Sequence, residues 1–268
     1  LRMIWDSDNK NDRRDAEMLA RIARMDPRLL SPIRHRGCQA HMDLALVKAR
    51  DGLVSSRTML INTVRGMCRS AGTKLPSCSA DSFAKSASSE VPEGLRPALV
   101  PLLETMAGLT LKIKEYDRKI VRLCQAMYPE TERLQKIAGV GALTALAFVL
   151  VLEDPKRFRK SREVGPYLGL VPRRDQSGDT DKQLRITKTG NGFLRRLLVG
   201  AAHYILGPFA PPSDLREYGE RIAARGGKAA RKKAVVAVAR KLAVLMHALW
   251  ARPDNDYVPQ KRRRTRVA

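Results

Sequence analysis

Residues 95–127, LRPALVPLLETMAGLTLKIKEYDRKIVRLCQAM, carry the pattern that decides the fold. Apolar side chains recur there at alternating steps of four and three residues: Leu95, Leu99, Leu102, Met106, Leu109, Ile113, Tyr116, Ile120, Leu123 and Met127. This alternation is the heptad pattern of a coiled coil or of a long helical hairpin. A single helix over the stretch would be about 50 Å long at 1.5 Å per residue.

An earlier stretch supplies a partner for this helix. Apolar residues recur in it every seven positions, in two adjacent stripes: Leu46, Leu53, Leu60 and Met67, with Val47, Val54, Ile61 and Cys68. Arg50 and Arg57 interrupt the seam. Residues 71–94, rich in Ser, Ala, Gly and Pro, are expected to form a loop at the hairpin tip. The hairpin is either an intramolecular stalk or an arm that joins copies into a homo-oligomer, and the sequence leaves both open.

After residue 130, short apolar segments alternate with Gly and Pro, as in a compact domain. The periodicity predicts helix, hairpin and helix over 134–152, a helix over 191–205 and a long helix over 229–250. The basic end of the chain is expected to form a tail. The sequence therefore predicts a mainly α fold, with a helical coiled-coil hairpin over 37–129, a compact helical domain over 130–252 and a basic tail over 253–268.

Charge and cysteine usage narrow the function classes. The formal net charge is +24 and the pI is about 10.6, which predicts a polyanionic partner, above all nucleic acid. No apolar run reaches the roughly 18 residues that a membrane-spanning helix needs, so we expect no membrane partner. The four cysteines are too scattered for a zinc site or a disulfide framework, which favours a reduced, cytoplasmic protein.

The segment Ile137-Ala138-Gly139-Val140-Gly141 has the alternating apolar and glycine form of a helix-hairpin-helix. Glycine permits the tight turn and a close backbone approach. The helix that follows then points its N-terminal N–H groups at a phosphate without reading sequence. Gly139 and Gly141 are therefore candidate nucleic-acid contacts, and the alternative is a plain turn between two helices.

Residues 165–195, GPYLGLVPRRDQSGDTDKQLRITKTGNGFLR, place one serine, Ser177, among cations. The candidate nucleic-acid contacts of this stretch are Arg173, Arg174, Arg185, Lys188 and Arg195. Pro166, Gly169, Pro172 and Gly178 punctuate it, so Ser177 is expected in or beside a turn. Local chemistry favours a loop that grips phosphate over a catalytic serine.

Asp12 and Asp15 lie three residues apart in a predicted N-terminal helix and would share one face. Two such carboxylates could hold Mg²⁺ for phosphoryl transfer. The alternative is local, because Asp12 suits an N-cap and acidic residues suit a first turn.

Four stretches together resemble bacterial insertion-sequence transposases of the IS110 type. They are NKNDRRDAEMLA at 9–20, IAGVGALTALAFVLVLEDPKRF at 137–158, YLGLVPRRDQSGDTDKQLRITKTGNGFLRRLLVGAA at 167–202, and RGGKAARKKAVVAVARKLAVLMHALW at 225–250. The resemblance covers essentially the whole chain, and the third stretch is its most specific part.

The resemblance implies a RuvC-like nuclease domain of α/β fold with an acidic DEDD tetrad that binds Mg²⁺, a coiled coil and a C-terminal transposase domain. It implies that Asp12 and Asp15 are the last two acids of the tetrad. It also implies that Ser177 is the nucleophile that attacks a DNA phosphate. A guide (bridge) RNA that pairs with donor and target DNA is a further implied partner.

Two departures from the family pattern accompany this resemblance. The first Asp and the Glu of the tetrad should precede Asp12, but only eleven residues do, and Asp6 and Asp8 lie too close to replace them. We therefore expect an N-terminally truncated chain in which residues 1–36 are the C-terminal remnant of the RuvC-like domain. Such a chain would bind DNA without completing recombination alone. The second departure is the Asp175-Gln176 pair before Ser177.

The alternative function is a non-catalytic, basic nucleic-acid-binding protein.

Overall fold

The structure, a computed structural model, describes residues 11–30, 37–177, 180–252, 254 and 256–259. Most of the predicted basic tail, and residues 178 and 179, lie outside this part. The chain divides into two compact units, Leu1–Gly37 and Cys38–Ala268. In the first unit, helix α1 (Asp12–Met25) is followed by a 3-10 turn, Pro27–Leu29.

The second unit consists of helices with one two-stranded antiparallel sheet. Its elements, in chain order, are α2 (Cys38–Ser70), α3 (Phe83–Ser88), α4 (Arg96–Met127), α5 (Glu130–Gln135), α6 (Ala142–Leu152), α7 (Val164–Tyr167), β1 (Pro172–Ser177), β2 (Thr180–Ile186), α8 (Gly192–Ile205), α9 (Asp214–Ala223) and α10 (Gly227–Ala251). Short 3-10 turns lie at Glu93–Leu95, Pro155–Arg157 and Ser161–Glu163. The prediction of a mainly α fold is confirmed.

The long helix predicted over residues 95–127 forms as α4, but some of its buried positions differ from the expected ones. Leu99, Met106, Ile113 and Ile120 are buried as expected. Leu103, Thr110 and Cys124 are also buried, each one residue beyond an expected seam position. Helix α4 contacts α2 along its length, α3 near one end and α6 near the other. Its buried stripe therefore lies between several partners rather than facing one.

The two arginines that interrupt the seam are paired across the hairpin. Arg50 Nε donates to Asp117 Oδ1 at 2.9 Å. Arg57, only 7% exposed, donates through Nη1 to Asp81 Oδ1 at 2.7 Å and to Thr110 Oγ1 at 3.1 Å. A buried guanidinium is tolerated where carboxylate and hydroxyl acceptors meet it. The polar seam positions thus fix how the two helices face each other.

The expected loop at the hairpin tip is wrong over part of its length, because residues 71–94 contain α3 and a 3-10 turn. Phe83, Ala87 and Val91 are buried, and they pack with apolar residues of α2 and α4 into a core at the tip. The composition of this segment resembles a loop, yet burial of a few apolar side chains is enough to order it.

A larger core joins the base of the hairpin to the C-terminal helices. Every residue of α6 from Thr144 to Leu152 is buried, because α2, α4, α5 and α8 all contact this helix. By length and composition alone, helix α10 could cross a membrane. Val238, Leu242 and Met246 of α10 are completely buried in this core, so protein packing explains its hydropathy.

Replacing Asp81 with alanine is expected to lower the free energy of unfolding by about 2 kcal/mol. The change leaves the buried Arg57 guanidinium without its carboxylate, which costs about 3–5 kcal/mol in fully buried pairs. The smaller figure applies because the Asp81 side chain is 53% exposed and water screens the pair. Urea unfolding measures the change. The double variant Asp81→Ala with Arg57→Met leaves no buried charge and should regain most of the loss. A double variant less stable than Asp81→Ala would contradict this account.

Candidate nucleic-acid interface

Ser177 is the last residue of β1 and pairs with Thr180, the first residue of β2. Two residues, 178 and 179, join the strands at this end. Residues 173–177 of β1 are all exposed, so both faces of β1 are solvated. The sequence predicted a turn here but no strands. A strand with both faces in water lacks the apolar alternation by which strands are recognised, which explains the omission.

Strand alternation separates the side chains next to Ser177. The register of β1 against β2 is regular from Arg174 to Ser177 and irregular between Pro172 and Arg174. Successive side chains of a regular strand point to opposite faces, so Asp175 and Ser177 share one face of β1 while Arg174 and Gln176 occupy the other. At about 3.4 Å per residue, the Cα atoms of Asp175 and Ser177 are roughly 6.8 Å apart. The face of Ser177 therefore carries the carboxylate of Asp175 next to the serine.

The base of the hairpin is fixed by a close backbone contact between two glycine-containing segments. Lys188 N donates to Gly169 O at 3.2 Å, and Thr187 N donates to Val171 O at 2.9 Å. Gly169 and Gly190 both have positive φ, of 64° and 71°. A Cβ on Gly190 would lie inside the contact distance of the Tyr167 carbonyl oxygen, and one on Gly169 would collide with the Thr189 backbone. Both positions therefore require glycine.

Arg195 ties the same two segments together. Its Nη1 donates to Leu168 O at 2.9 Å and to Thr189 O at 2.7 Å. Asn191 caps α8 by accepting from Leu194 N at 2.9 Å. Arg195 thus acts inside the protein, and its contact with nucleic acid stays a prediction. Arg185 and Lys188 are exposed near the base of the hairpin, and Lys188 has φ of +56°.

The predicted hairpin between two helices is the turn that joins α5 to α6. Gly139, with φ of 85°, packs against α8: a Cβ there would lie 3.0 Å from Ala201 O and 3.1 Å from Tyr204 Cδ1. Gly141 is the N-cap of α6 and is exposed, with nothing within 4 Å of its Cβ position. Gly139 is therefore a packing residue, whereas Gly141 leaves the start of α6 accessible.

An open cleft of about 650 Å³ lies between this turn and α8, and Lys136, Thr144, Arg196 and Tyr204 are among its lining residues. Arg196 also forms an ion pair with Asp51 of α2 at 2.5 Å. Sequence reasoning missed Arg196 and Tyr204 as candidate contacts. The sequence pattern that could have indicated them is the spacing of Arg196, Gly200 and Tyr204 at steps of four residues, which places all three on one face of α8.

Asp12 and Asp15 lie in the first turn of α1 and belong to the first unit. Of the local alternative for these residues, the acidic first turn is confirmed but the N-cap role of Asp12 is wrong. Asn11 is the N-cap, and its side chain accepts from Arg13 N at 2.9 Å. Within the described residues, no group of three or more His, Cys, Asp or Glu side chains could hold a metal ion. The two carboxylates on one helix face fit part of a Mg²⁺ site, since Mg²⁺ often takes one or two carboxylates and fills the rest with water and phosphate.

His247 anchors the segment that leads from α6 toward the hairpin. It is 2% exposed, its Nε2 lies 2.9 Å from Pro155 O, and its Nδ1 lies 3.0 Å from Ser161 Oγ. Burial lowers the pKa of the His247 imidazole, partly offset by the Pro155 carbonyl and by Glu163. The neutral imidazole can donate to one oxygen and accept from the serine hydroxyl, which satisfies both nitrogens.

Stability is expected to fall as the pH drops below about 6.5, the ordinary pKa of histidine. The pKa of His247 is lower in the folded chain than in the unfolded chain, so the unfolded chain binds the proton first. The stabilisation is complete above the unfolded pKa and is lost as pH falls through the folded pKa. Urea unfolding at pH 7.5, 6 and 5 measures this, and His247→Gln should flatten the dependence. An equally steep dependence in the variant would assign it to other groups.

High positive charge, an exposed hairpin lined with cations and an accessible helix start are typical of a protein that binds nucleic acid. Comparison with known families agrees. The family described as "Transposase IS116/IS110/IS902 family" matches residues 131–220, and an IS110-type DEDD family described as "Transposase" matches residues 2–71.

Three curated relatives extend the match over most of the chain. The transposase for insertion sequence element IS1111A of Coxiella burnetii is 32% identical over 92% of this chain and 68% of its own length. A probable family 20 transposase of Pseudomonas aeruginosa is 28% identical over 78% of this chain and 63% of its own. The transposase for IS1328 of Yersinia enterocolitica is 32% identical over 72% of this chain and 58% of its own.

The chain belongs to the IS116/IS110/IS902 family of insertion-sequence transposases. It spans about 58–68% of the length of these three relatives. The resemblance read from the sequence is thereby confirmed at the level of the family.

Proposed function

We propose that this chain acts in DNA transposition by presenting Ser177 as the nucleophile of strand exchange. The observation that carries the proposal is the position of Ser177, exposed at the end of the solvated strand β1, which carries Arg173, with Arg185 and Lys188 exposed near the base of the hairpin. Side chains on such a strand can reach a phosphate in a groove, because residues 173–177 are all exposed.

The reaction is a transfer of a phosphoryl group from DNA to protein. The Ser177 Oγ–phosphorus bond forms while the bond from phosphorus to the 3′ oxygen of the neighbouring nucleotide breaks. The products are a 5′-phosphoserine link and a free 3′ hydroxyl, which takes up a proton as the serine loses one. Because serine is a weak nucleophile, it needs a nearby base. Asp175 is the carboxylate on the same face of β1 and is proposed to accept the serine proton.

Arg173 is exposed on β1 and is a proposed phosphate ligand, because a guanidinium can donate two parallel hydrogen bonds to phosphate oxygens. Arg174, on the face of β1 opposite to Ser177, is placed to contact a neighbouring phosphate of the same duplex. Arg185 and Lys188 add positive charge nearer the base of the hairpin. Arg195 supports these contacts through the two carbonyl oxygens that it holds.

The turn before α6 is proposed to hold DNA at a second point. The free N–H groups at the start of α6 lie next to its N-cap, the exposed Gly141, and no side chain caps this helix. A helix start of this kind attracts phosphate through its free N–H groups and its dipole. Lys136 lines the adjoining cleft and supplies a charge of the right sign.

The match to a DEDD transposase family supports the use of a divalent metal. We propose Mg²⁺, with Asp12 and Asp15 among its ligands. When bound, such an ion would neutralise charge on phosphoryl oxygens. A guide RNA, a homo-oligomer through α2 and α4, and a cytoplasmic location complete the proposal.

Labelled DNA duplexes test the proposed chemistry. The chain is incubated with a donor-end duplex and Mg²⁺, and the products are separated on a denaturing protein gel. A 5′-phosphoserine link predicts that a 3′-labelled strand migrates with the protein, while the 5′-labelled strand is released with a 3′ hydroxyl. Salt-sensitive binding without any adduct would favour the second candidate, a non-catalytic nucleic-acid-binding protein, which the net charge of +24 also supports.

A further inference from the structure

A second strongly basic surface lies at the junction of α9 and α10, far along the chain from Ser177. The thirteen residues from 221 to 233 contain no acidic side chain and six basic ones, all exposed: Arg221, Arg225, Lys228, Arg231, Lys232 and Lys233. We call this surface the 221–233 patch. No function assigned above uses it.

The cations of the 221–233 patch are not used to hold the fold. Among the residues that the structure describes, no ion pair or hydrogen bond of their side chains is found, whereas Arg50, Arg57 and Arg196 all pair with a carboxylate. Self-repulsion among six like charges works against the folded state unless counter-ions or a partner neutralise them. The patch therefore has the character of a binding surface.

The positive charge of the patch is also unfavourable for the dipole of the helix that carries it. Helix α10 begins at Gly227 with no side-chain cap and no acidic residue in its first turn. Helices α1 and α9 begin with side-chain caps, Asn11 and Ser213, and acidic first turns. Cations in a first turn oppose the helix dipole. A helix start that lacks the usual acidic residues often has a functional reason. A bound phosphate would interact favourably with both the helix dipole and the basic side chains.

The turn between α9 and α10 leaves room for close approach. Gly226 and Gly227 have φ of 85° and 76°, and nothing lies within 4 Å of either Cβ position. Lys228 and Lys232 follow at a spacing of four, so they share one face of α10 about 6 Å apart along the axis. Ala230 and Ala234 face the core instead. The lysines therefore point to solvent as a pair.

We propose that the 221–233 patch binds the sugar-phosphate backbone of duplex DNA, as a contact separate from the Ser177 hairpin and independent of base sequence. The proposal rests on the proposed function in one respect, that the chain binds DNA at all. Charge complementarity selects this occupant. Duplex DNA carries one negative charge per roughly 1.7 Å of its axis, so several cations of the patch can be neutralised at once.

The test measures how binding of the full chain depends on salt. A labelled 30-base-pair duplex of random sequence is titrated with the protein at several salt concentrations. The triple variant Arg225→Gln, Lys228→Gln and Lys232→Gln removes three charges and keeps residues that favour helix. The logarithm of the association constant K falls linearly with the logarithm of the salt concentration, and each lost phosphate contact reduces the magnitude of this slope by about 0.9. We expect the magnitude of the slope to fall by about 2–3 and the affinity to fall at least about tenfold.

A matched triple variant, Arg69→Gln, Lys74→Gln and Lys85→Gln, removes the same charge from exposed positions near the hairpin tip. It should change the slope by less than about 0.5. An unchanged slope in the patch variant, or an equal change in the matched variant, would overturn the proposal. A patch-dependent slope for an RNA duplex but not for the DNA duplex would also overturn it. Failure of the unsubstituted chain to bind DNA would overturn the proposed function as well, which separates the two failures.

Discussion

Replacing Ser177 with alanine is expected to reduce the covalent protein–DNA product at least about a thousandfold, to the limit of detection. Removal of the proposed nucleophile leaves binding and charge stabilisation in place but removes the atom that would form the bond. Ser177 is exposed at the end of β1, so the loss of its hydroxyl should not disturb packing. Affinity for duplex DNA should therefore stay within about twofold, because the phosphate contacts dominate binding.

Gln176→Ala is the matched control for this experiment. Gln176 is exposed on the same strand but on the opposite face, so its loss tests the integrity of the hairpin without touching the nucleophile. The control should form adduct at close to the original rate. Adduct formation that persists in Ser177→Ala would assign the chemistry to another residue. Equal losses in both variants would show that the hairpin, rather than the serine, had been disturbed.

Replacing Gly190 with alanine is expected to lower the free energy of unfolding by about 3 kcal/mol. Two effects add. The positive φ of 71° costs an L residue about 1–2 kcal/mol. The new Cβ also collides with the Tyr167 carbonyl oxygen, and such overpacking costs about 1–3 kcal/mol. Backbone cannot move aside as a flexible side chain can. Urea unfolding followed by tryptophan fluorescence measures the loss, since Trp250 packs against Phe148 of the main core.

Gly72→Ala separates the two effects. Gly72 has a similar φ of 80°, but nothing lies within 4 Å of its Cβ position. Its replacement should cost only about 1 kcal/mol, the part due to φ. If both variants lose the same amount, the close contact between Gly190 and Tyr167 does not constrain the hairpin base. The proposed covalent protein–DNA product should also decrease in Gly190→Ala, because this contact holds the hairpin that carries Ser177.

The long helices could be predicted from the sequence because their signal is local and repeated. The stretch around Leu99 and Ile113 alternates by four and three over many turns, and the helix forms there as expected. The β-hairpin could not be predicted, because both faces of β1 are solvated and no apolar alternation marks it. The order within 71–94 was missed for a related reason. Phe83 gains its burial from α2 and α4, which lie far from it in the sequence.

Part of the candidate site was also within reach of the sequence. Ser177, Arg173 and Gly141 are exposed, as a contact with nucleic acid requires, and their roles stay predictions. The uses of Gly139 and Arg195 were not foreseeable, because each depends on a partner that only folding brings near. Gly139 packs on α8, and Arg195 donates to Leu168 and Thr189.

The sequence by itself determined the helical periodicity, the positive charge and the family, since these depend on residue types and their order along the chain. The tertiary structure decided which heptad positions are buried, how Arg57 is paired, and how Gly190 and Arg195 hold the base of the hairpin. These features depend on contacts between distant residues. Packing and hydrogen bonding between distant segments set them, and a local pattern carries no information about either.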